Sequence, residues 1–247
     1  MVKESLLLSS DDDHQARARA ALVLADAFHF GGRFDLARPW YELAHFHATR
    51  EGDESMIGAL LHNVAAFRAG NLKLADALGS QLREEARRAM VEATSAAAYD
   101  HSIGTSSLAQ FIPHVTAQLL VVEKRYEEAK DCLLRIDLAG LGARSHAVHY
   151  VDIATCALNL GDRSLVDEMV PRAIKALESS MDKDDIVYVS CRLATIYAAL
   201  GQELSAAEAQ MTARDQMAAF RSVQEQLVRT LARVAEELPE PNKFEHK

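Results

Sequence analysis

Glycine and proline are scarce in this chain, 11 and 5 among 247 residues. Most all-β folds need such residues at every turn, so their scarcity argues against that class. Cysteine is rarer still. Cys132, Cys156 and Cys191 are an odd, widely spaced set, each embedded in a helical pattern, which fits reduced, half-buried thiols better than a disulfide framework. Long apolar runs are missing too: Leu6, Leu7 and Leu8 are too short a stretch for a signal-peptide core or a membrane span. A cytoplasmic protein with no membrane partner is therefore expected. Basic residues do not predominate, with 27 Lys and Arg against 36 Asp and Glu and a net charge of −9. Nucleic-acid affinity comes mainly from cationic side chains that displace counterions, so no nucleic-acid partner is expected.

What the chain has is alanine, roughly one residue in six, within a composition of 49% hydrophobic and 26% charged residues that excludes disorder and a membrane bundle. Apolar residues recur at helical spacing, as in Leu22, Ala25 and Phe28, or Val151, Ala154 and Leu158. No stretch alternates long enough to argue a half-buried strand. The pattern predicts ten helices over 12–31, 34–51, 54–70, 72–98, 106–124, 126–139, 143–161, 164–180, 183–201 and 204–238. Short turns join them, at Gly31-Gly32-Arg33, Gly70-Asn71, Gly161-Asp162 and Gly201-Gln202, where glycine can take the left-handed conformation that ends a helix. Asp11 to Asp13 and Asp182 to Asp185 give acidic N-terminal turns. Pro39 falls early in its helix, and Pro171 is expected to kink the eighth unless that helix begins later.

Aligned on turns at Gly32, Gly70, Lys124, Gly161 and Gly201, the chain repeats. Seven residues before each turn stand Ala25, Asn63, Ala117, Ala154 and Ala194. Five after come Ala37, Ala75, Ala129, Val166 and Ala206, and twelve after come Ala44, Leu82, Ile136, Ala173 and Ala213. Small residues at such places let neighbouring helices approach closely. Gly-Arg-Phe-Asp-Leu-Ala at 32–37, followed by Tyr41 and Ala44, resembles a tetratricopeptide repeat, as does Lys-Arg-Tyr-Glu-Glu-Ala at 124–129. The turns are 38, 54, 37 and 40 residues apart, against about 34 in that family, which implies longer helices. Repeats of this length are similar to those in the sensor regions of bacterial transcription activators, peptide-pheromone receptors and diguanylate cyclases. The resemblance implies an all-α, right-handed solenoid of about five helix hairpins over 12–203 and a long C-terminal helix over 204–238. Residues 1–11 are expected to be a flexible segment and 239–247 a disordered tail.

A search for chemistry finds none to expect. His146, His149 and Asp152 share one helix face and could in principle offer three metal ligands, yet two surface histidines on an alanine-rich helix are the plainer reading, and neither metal nor cofactor is expected. His45 and His47 point to different faces. No nucleophile elbow and no glycine-rich phosphate loop occurs, so no enzyme is expected. The resemblance instead implies a binding groove on the first helix of each hairpin, carried here by Leu60, Val64, Phe67, Phe111, His114, Gln118, Val151, Thr155 and Tyr188. The Lys and Asn clamp of chaperone-adaptor relatives is absent from these positions. The groove suits a protein or peptide with an apolar or amphipathic segment, in bacterial regulation or signalling. The alternative is a self-associating sensor segment of a regulator such as a diguanylate cyclase or transcription activator.

The last predicted helix is too long for its neighbour. Its second half carries a seam of Met217, Phe220, Gln224, Leu227, Leu231, Val234 and Leu238, at alternating three and four spacing. An apolar stripe of this kind needs cover. Either the helix pairs with its copy in a homodimer through Phe220, Leu227, Leu231 and Val234, or it bends near Met217 and caps the solenoid's open end.

Overall fold

The computed structural model describes Leu6, Ser9, Ser10 and residues 12–104, 111–177 and 182–238. Among the described residues there are ten α-helices and no strand. They are α1 (His14–Phe30), α2 (Phe34–Glu51), α3 (Glu54–Ala77), α4 (Arg83–Ser102), α5 (Phe111–Val122), α6 (Tyr126–Leu134), α7 (His146–Leu160), α8 (Arg163–Leu177), α9 (Lys183–Ala199) and α10 (Glu203–Glu236). Two single 3₁₀ turns, Leu138–Gly140 and Ala143–Ser145, occupy the link between α6 and α7.

Each of the five hairpin turns is built the same way. One residue takes positive φ, at Gly32, Gly79, Lys124, Gly161 and Gly201. The next amide then reaches back to a carbonyl five residues earlier, as Arg33 to Phe28, Ser80 to Ala75, Arg125 to Leu120, Asp162 to Ala157 and Gln202 to Tyr197, at 2.9–3.0 Å. This bond satisfies one of the carbonyls left orphaned at a helix end. Gly70 is not a turn. It lies inside α3, which runs seven residues further and stops at Gly79, whose φ is +98°. A glycine within a helix costs only about 1 kcal/mol, which the flanking pattern of α3 outweighs.

With the second turn placed at Gly79, the repeat becomes more regular than the sequence suggested. Three residues after the start of each second helix stand Ala37, Ala86, Ala129, Val166 and Ala206, and seven residues further on stand Ala44, Ala93, Ile136, Ala173 and Ala213; all ten are buried. Pro39 lies within α2, and α8 is continuous from Arg163 to Leu177 with Pro171 on its exposed side.

The chain divides into two compact units. The first comprises Met1–Phe67, Tyr99–Thr105 and Arg221–Lys247, the second Arg68–Ala98 and Ser106–Phe220. Two long helices are divided between them, α3 at Phe67 and α10 at Phe220.

In the first unit α1 and α2 form a close antiparallel pair. Their core holds Leu24, Phe28, Trp40 and Leu43, with Leu60 from α3 and Leu231 from α10. Leu6 is buried in that core, and the Arg17 guanidinium donates to the carbonyls of Ser9 and Ser10, so this part of the expected flexible segment is anchored. In the second unit α7 is central, packing against α5, α6, α8 and α9. Its core is formed by Leu133, Val148, Val151, Val166, Tyr188 and Ile196 among others. All three cysteines are free, and burial raises each thiol, Cys156 to about 12. The expected tail at 239–247 and the start of the helix predicted over 106–124 lie outside the described residues.

Candidate functional site

Of the nine residues expected to line a groove, six belong to the second unit, and five of these lie in its interior. His114, Gln118, Val151, Thr155 and Tyr188 are all buried. The residues that close over them are charged. Because α3 continues past Gly70, Ala69, Lys73 and Asp76 fall on one buried face of it. Asp76 accepts from Lys124 Nζ through Oδ1 at 2.6 Å and from Arg192 Nη2 through Oδ2 at 2.6 Å. Arg192 Nε in turn donates to the Tyr188 hydroxyl at 3.3 Å, and Tyr188 donates to Asp152 Oδ1. Lys73 Nζ reaches Asp185 Oδ1 at 2.9 Å, with its ammonium 5.1 Å from the Tyr188 ring centroid.

Each cation of this network has a carboxylate partner, which is the condition for keeping charge inside a core. Burial works against the Lys73 charge, but Asp185, Asp152 and Asp184 together hold its pKa above the ordinary value. Asp152 is fully buried and its pKa is pushed up to about 6 by burial, against the stabilising Tyr188 hydroxyl, Arg192 and Lys73. The neighbouring His114 and His149 rings lie 5.9 Å apart, and burial lowers them to about 3 and about 4, so both are neutral at pH 7. The expected inner groove of this unit is thus a filled polar core. His149 and Asp152 are not surface residues, and His146 Nε2 is engaged with the Leu138 carbonyl at 3.1 Å. Among the described residues the group of acidic, histidine or cysteine atoms close enough to share a metal is Asp182, Asp184 and Asp185; Asp185 pairs with Lys73 and Asp182 with Arg144.

Phe111 is half-buried against the core of the second unit, so it is a packing residue as well as a groove candidate. The remaining three, Leu60, Val64 and Phe67, belong to the first unit. There α1 and α3 meet through Asp26 and His29 on one side and Asn63 and Phe67 on the other. Asn63 Nδ2 donates to Asp26 Oδ2 at 2.7 Å, and the His29 and Phe67 rings stack at 5.1 Å. Tyr41 of α2 donates its hydroxyl to Asp26 Oδ1 at 2.8 Å, while His29 Nδ1 lies 3.1 Å from that hydroxyl. Burial raises the Asp26 carboxyl, offset by its bonds from Tyr41 and Asn63.

The anchored Tyr41 ring forms one wall of a surface groove of about 630 Å³. Tyr41, Glu42, His45, Phe46, Thr49 and Arg50 line it from successive turns of α2, and Leu60 lines it from α3. The spacing places these α2 residues on one helix face. His45 faces this groove while His47 is buried, as their two-residue separation predicts. The Arg50 guanidinium lies 5.4 Å from the Phe46 ring centroid. Leu60 is the one expected groove residue that lines this cavity. Tyr41 was legible only as a repeat residue, and Phe46 carried no signal because nothing in the chain marks which face of α2 stays uncovered.

The seam of α10 is covered within the first unit. Leu231 and Leu238 are buried in its core, and Leu227 and Val234 pack against it. Leu227, Leu231 and Val234 thus meet apolar residues of the same chain, in a cluster that holds side chains of α1 and α2. Phe220 belongs to the second unit and is buried. Gln224, the polar member, donates to the Phe30 carbonyl at 2.6 Å.

No protein-family model, curated protein or solved structure matches the chain. Among the described residues no helix is long and apolar enough to cross a membrane.

Proposed function

We propose that the chain is a non-enzymatic, tetratricopeptide-like scaffold that binds a protein or peptide through an apolar or amphipathic segment, in the cytoplasm and in a regulatory role. The observation that carries this reading is the left-handed helix-to-helix turn repeated five times, each followed at the same spacing by two buried positions that are alanine in eight of ten cases. Stacked hairpins of this kind form solenoids whose function is to present surface. The seat for the partner is the groove of α2 and α3, where Tyr41, Phe46 and Leu60 supply apolar contact and Glu42, His45 and Arg50 supply a polar rim.

The test is co-purification with the intact chain, followed by affinity measurement on the captured partner. Phe46 is half-buried and its removal leaves the core of the first unit intact, so Phe46→Ala is expected to weaken binding by about tenfold or more without loss of helix. Equal affinity for both forms places the partner elsewhere.

Self-association is a second reading, favoured by Leu204 and Met211. They stand seven residues apart in the first half of α10 and are 84% and 60% exposed. One heptad places them on one face, and two large apolar side chains so exposed form a surface that a second copy would cover.

A further inference from the structure

The turn between α1 and α2 is seated directly on the second half of α10. A Cβ added at Gly31 would lie 2.6 Å from Val228 Cγ2, so only glycine permits the approach. Gln224 Nε2 fixes the same turn through the Phe30 carbonyl at 2.6 Å. Between these two walls lies a cleft of about 420 Å³, lined by Gly31, Arg33, Arg221, Gln224, Glu225, Val228 and Arg229.

Three of the seven lining residues are arginine, in a chain whose net charge is −9. Arg221, Glu225 and Arg229 stand four residues apart on one stripe of α10. Glu225 is one turn from both arginines, yet neither forms an ion pair with it or with any other described residue. Arg33 comes from the opposite wall. Asp35 holds its guanidinium through Nε at 2.9 Å and Nη2 at 2.6 Å, leaving Nη1 uncommitted. The cleft thus offers two unpaired guanidinium groups and part of a third, on walls fixed by backbone contact. Guanidinium forks match phosphate and carboxylate oxygens.

We propose that this cleft binds a small oxyanion ligand carrying more than one anionic group, gripped by Arg221 and Arg229 with Arg33 as the third donor. Glu225 is the counterweight that disfavours weak, singly charged anions. A cavity of this volume suits a small molecule rather than a protein segment. The site is independent of the peptide groove, which shares none of its residues.

Calorimetric titration of the intact chain with inorganic pyrophosphate, and separately with citrate, at constant ionic strength, tests the proposal and distinguishes a phosphate from a carboxylate ligand. Saturable single-site binding of at least one probe is expected. The Arg221→Gln, Arg229→Gln pair should weaken it by about tenfold or more, because each charge-assisted contact contributes well over a neutral one. Glu225→Gln should tighten it several-fold, a gain that a merely destabilised fold could not produce. Binding unchanged in the arginine variant, or no heat from either probe with the wild type, overturns the proposal.

Discussion

Lys124 adopts the left-handed backbone conformation, with φ +64°, and its ammonium reaches Asp76 Oδ1 at 2.6 Å. It is the one non-glycine residue among the described ones with positive φ, at a turn position that the other four hairpins give to glycine. The strain of the L side chain there is offset by an ion pair that bridges to α3. The same carboxylate also receives Arg192, so Asp76 joins the α5–α6 turn to α9.

The buried carboxylate should therefore matter more than either cation. Asp76→Asn leaves Lys124 and Arg192 facing a neutral group and is expected to cost about 3–5 kcal/mol, the usual penalty for stripping one partner from a buried pair. Lys124→Ala should cost less, and Lys124→Gly about 1 kcal/mol less again, since both lose the ion pair but only glycine relaxes the backbone. Urea denaturation of the three variants measures the order. Finding Lys124→Gly no better than Lys124→Ala would mean the left-handed turn carries no strain.

Gly31 gives a second test by a different mechanism. Gly31→Ala drives a methyl group into Val228 Cγ2 and is expected to cost about 1–3 kcal/mol, the range for overpacking. Val228→Ala removes the obstructing atoms, so the double variant should recover much of that loss. Independent, additive effects of the two changes would show that turn and helix do not meet as described. Gly161 is the contrast: among the described residues, none beyond its chain neighbours comes within 4 Å of a Cβ there, but φ is +78°. Gly161→Ala should cost about 1 kcal/mol from the backbone alone, and no compensating substitution should restore it.

Much of this fold is legible in the sequence, and the exceptions share a cause. Helical periodicity and the turn residues give the number of helices and four of the five repeated turns, because both signals are local. Gly70 misleads since a glycine followed by Asn71 looks like a turn, and only the tertiary packing of Ala69, Lys73 and Asp76 decides that the helix continues. The buried network escapes notice because its pairs, Lys73 with Asp185 and Asp76 with Arg192, are separated by 112 and 116 residues. No periodicity links residues that far apart. The α10 seam is intermediate: Leu227, Leu231 and Val234 announce that they need cover, but their pattern does not name α1 and α2 as the cover.

The histidine and aspartate pKa values give a pH dependence with opposing parts. Asp152 titrates near 6 in the native protein against an ordinary 3.8, so its contribution is full below that lower value and is lost as pH rises through 6. His149 and His114 titrate near 4 and 3 against an ordinary 6.5. Their contribution is full above 6.5 and is lost as pH falls through 4 and then 3. Between about pH 4 and 6 the unfolded chain holds two protons on the histidines and the native protein one on Asp152. Stability from these three groups therefore rises with pH across that window. His149→Asn should flatten the rise and Asp152→Asn, which keeps an acceptor for Tyr188, should steepen it. Melting temperatures at half-unit pH steps measure both, and equal slopes in the two variants would exclude these residues as the source.

The α10 seam separates a fold contact from an assembly contact. Leu231 is buried in the core of the first unit and Leu227 packs against it, so Leu227→Asp with Leu231→Asp places two carboxylates in apolar surroundings formed by the chain itself. Burying an unpaired charge costs several kcal/mol, enough to unfold a unit of ordinary stability. The expected result is a lower melting temperature and lost helix, with no shift from dimer to monomer in sedimentation across a hundredfold concentration range. Leu204→Gln with Met211→Gln lies on the exposed half of the same helix and should leave melting unchanged within about 0.5 kcal/mol. If the wild type sediments as a dimer, that second pair is the one expected to dissociate it while keeping the helix content. A folded monomer produced by the Leu227 and Leu231 changes would reverse the assignment and make the seam an interface between copies.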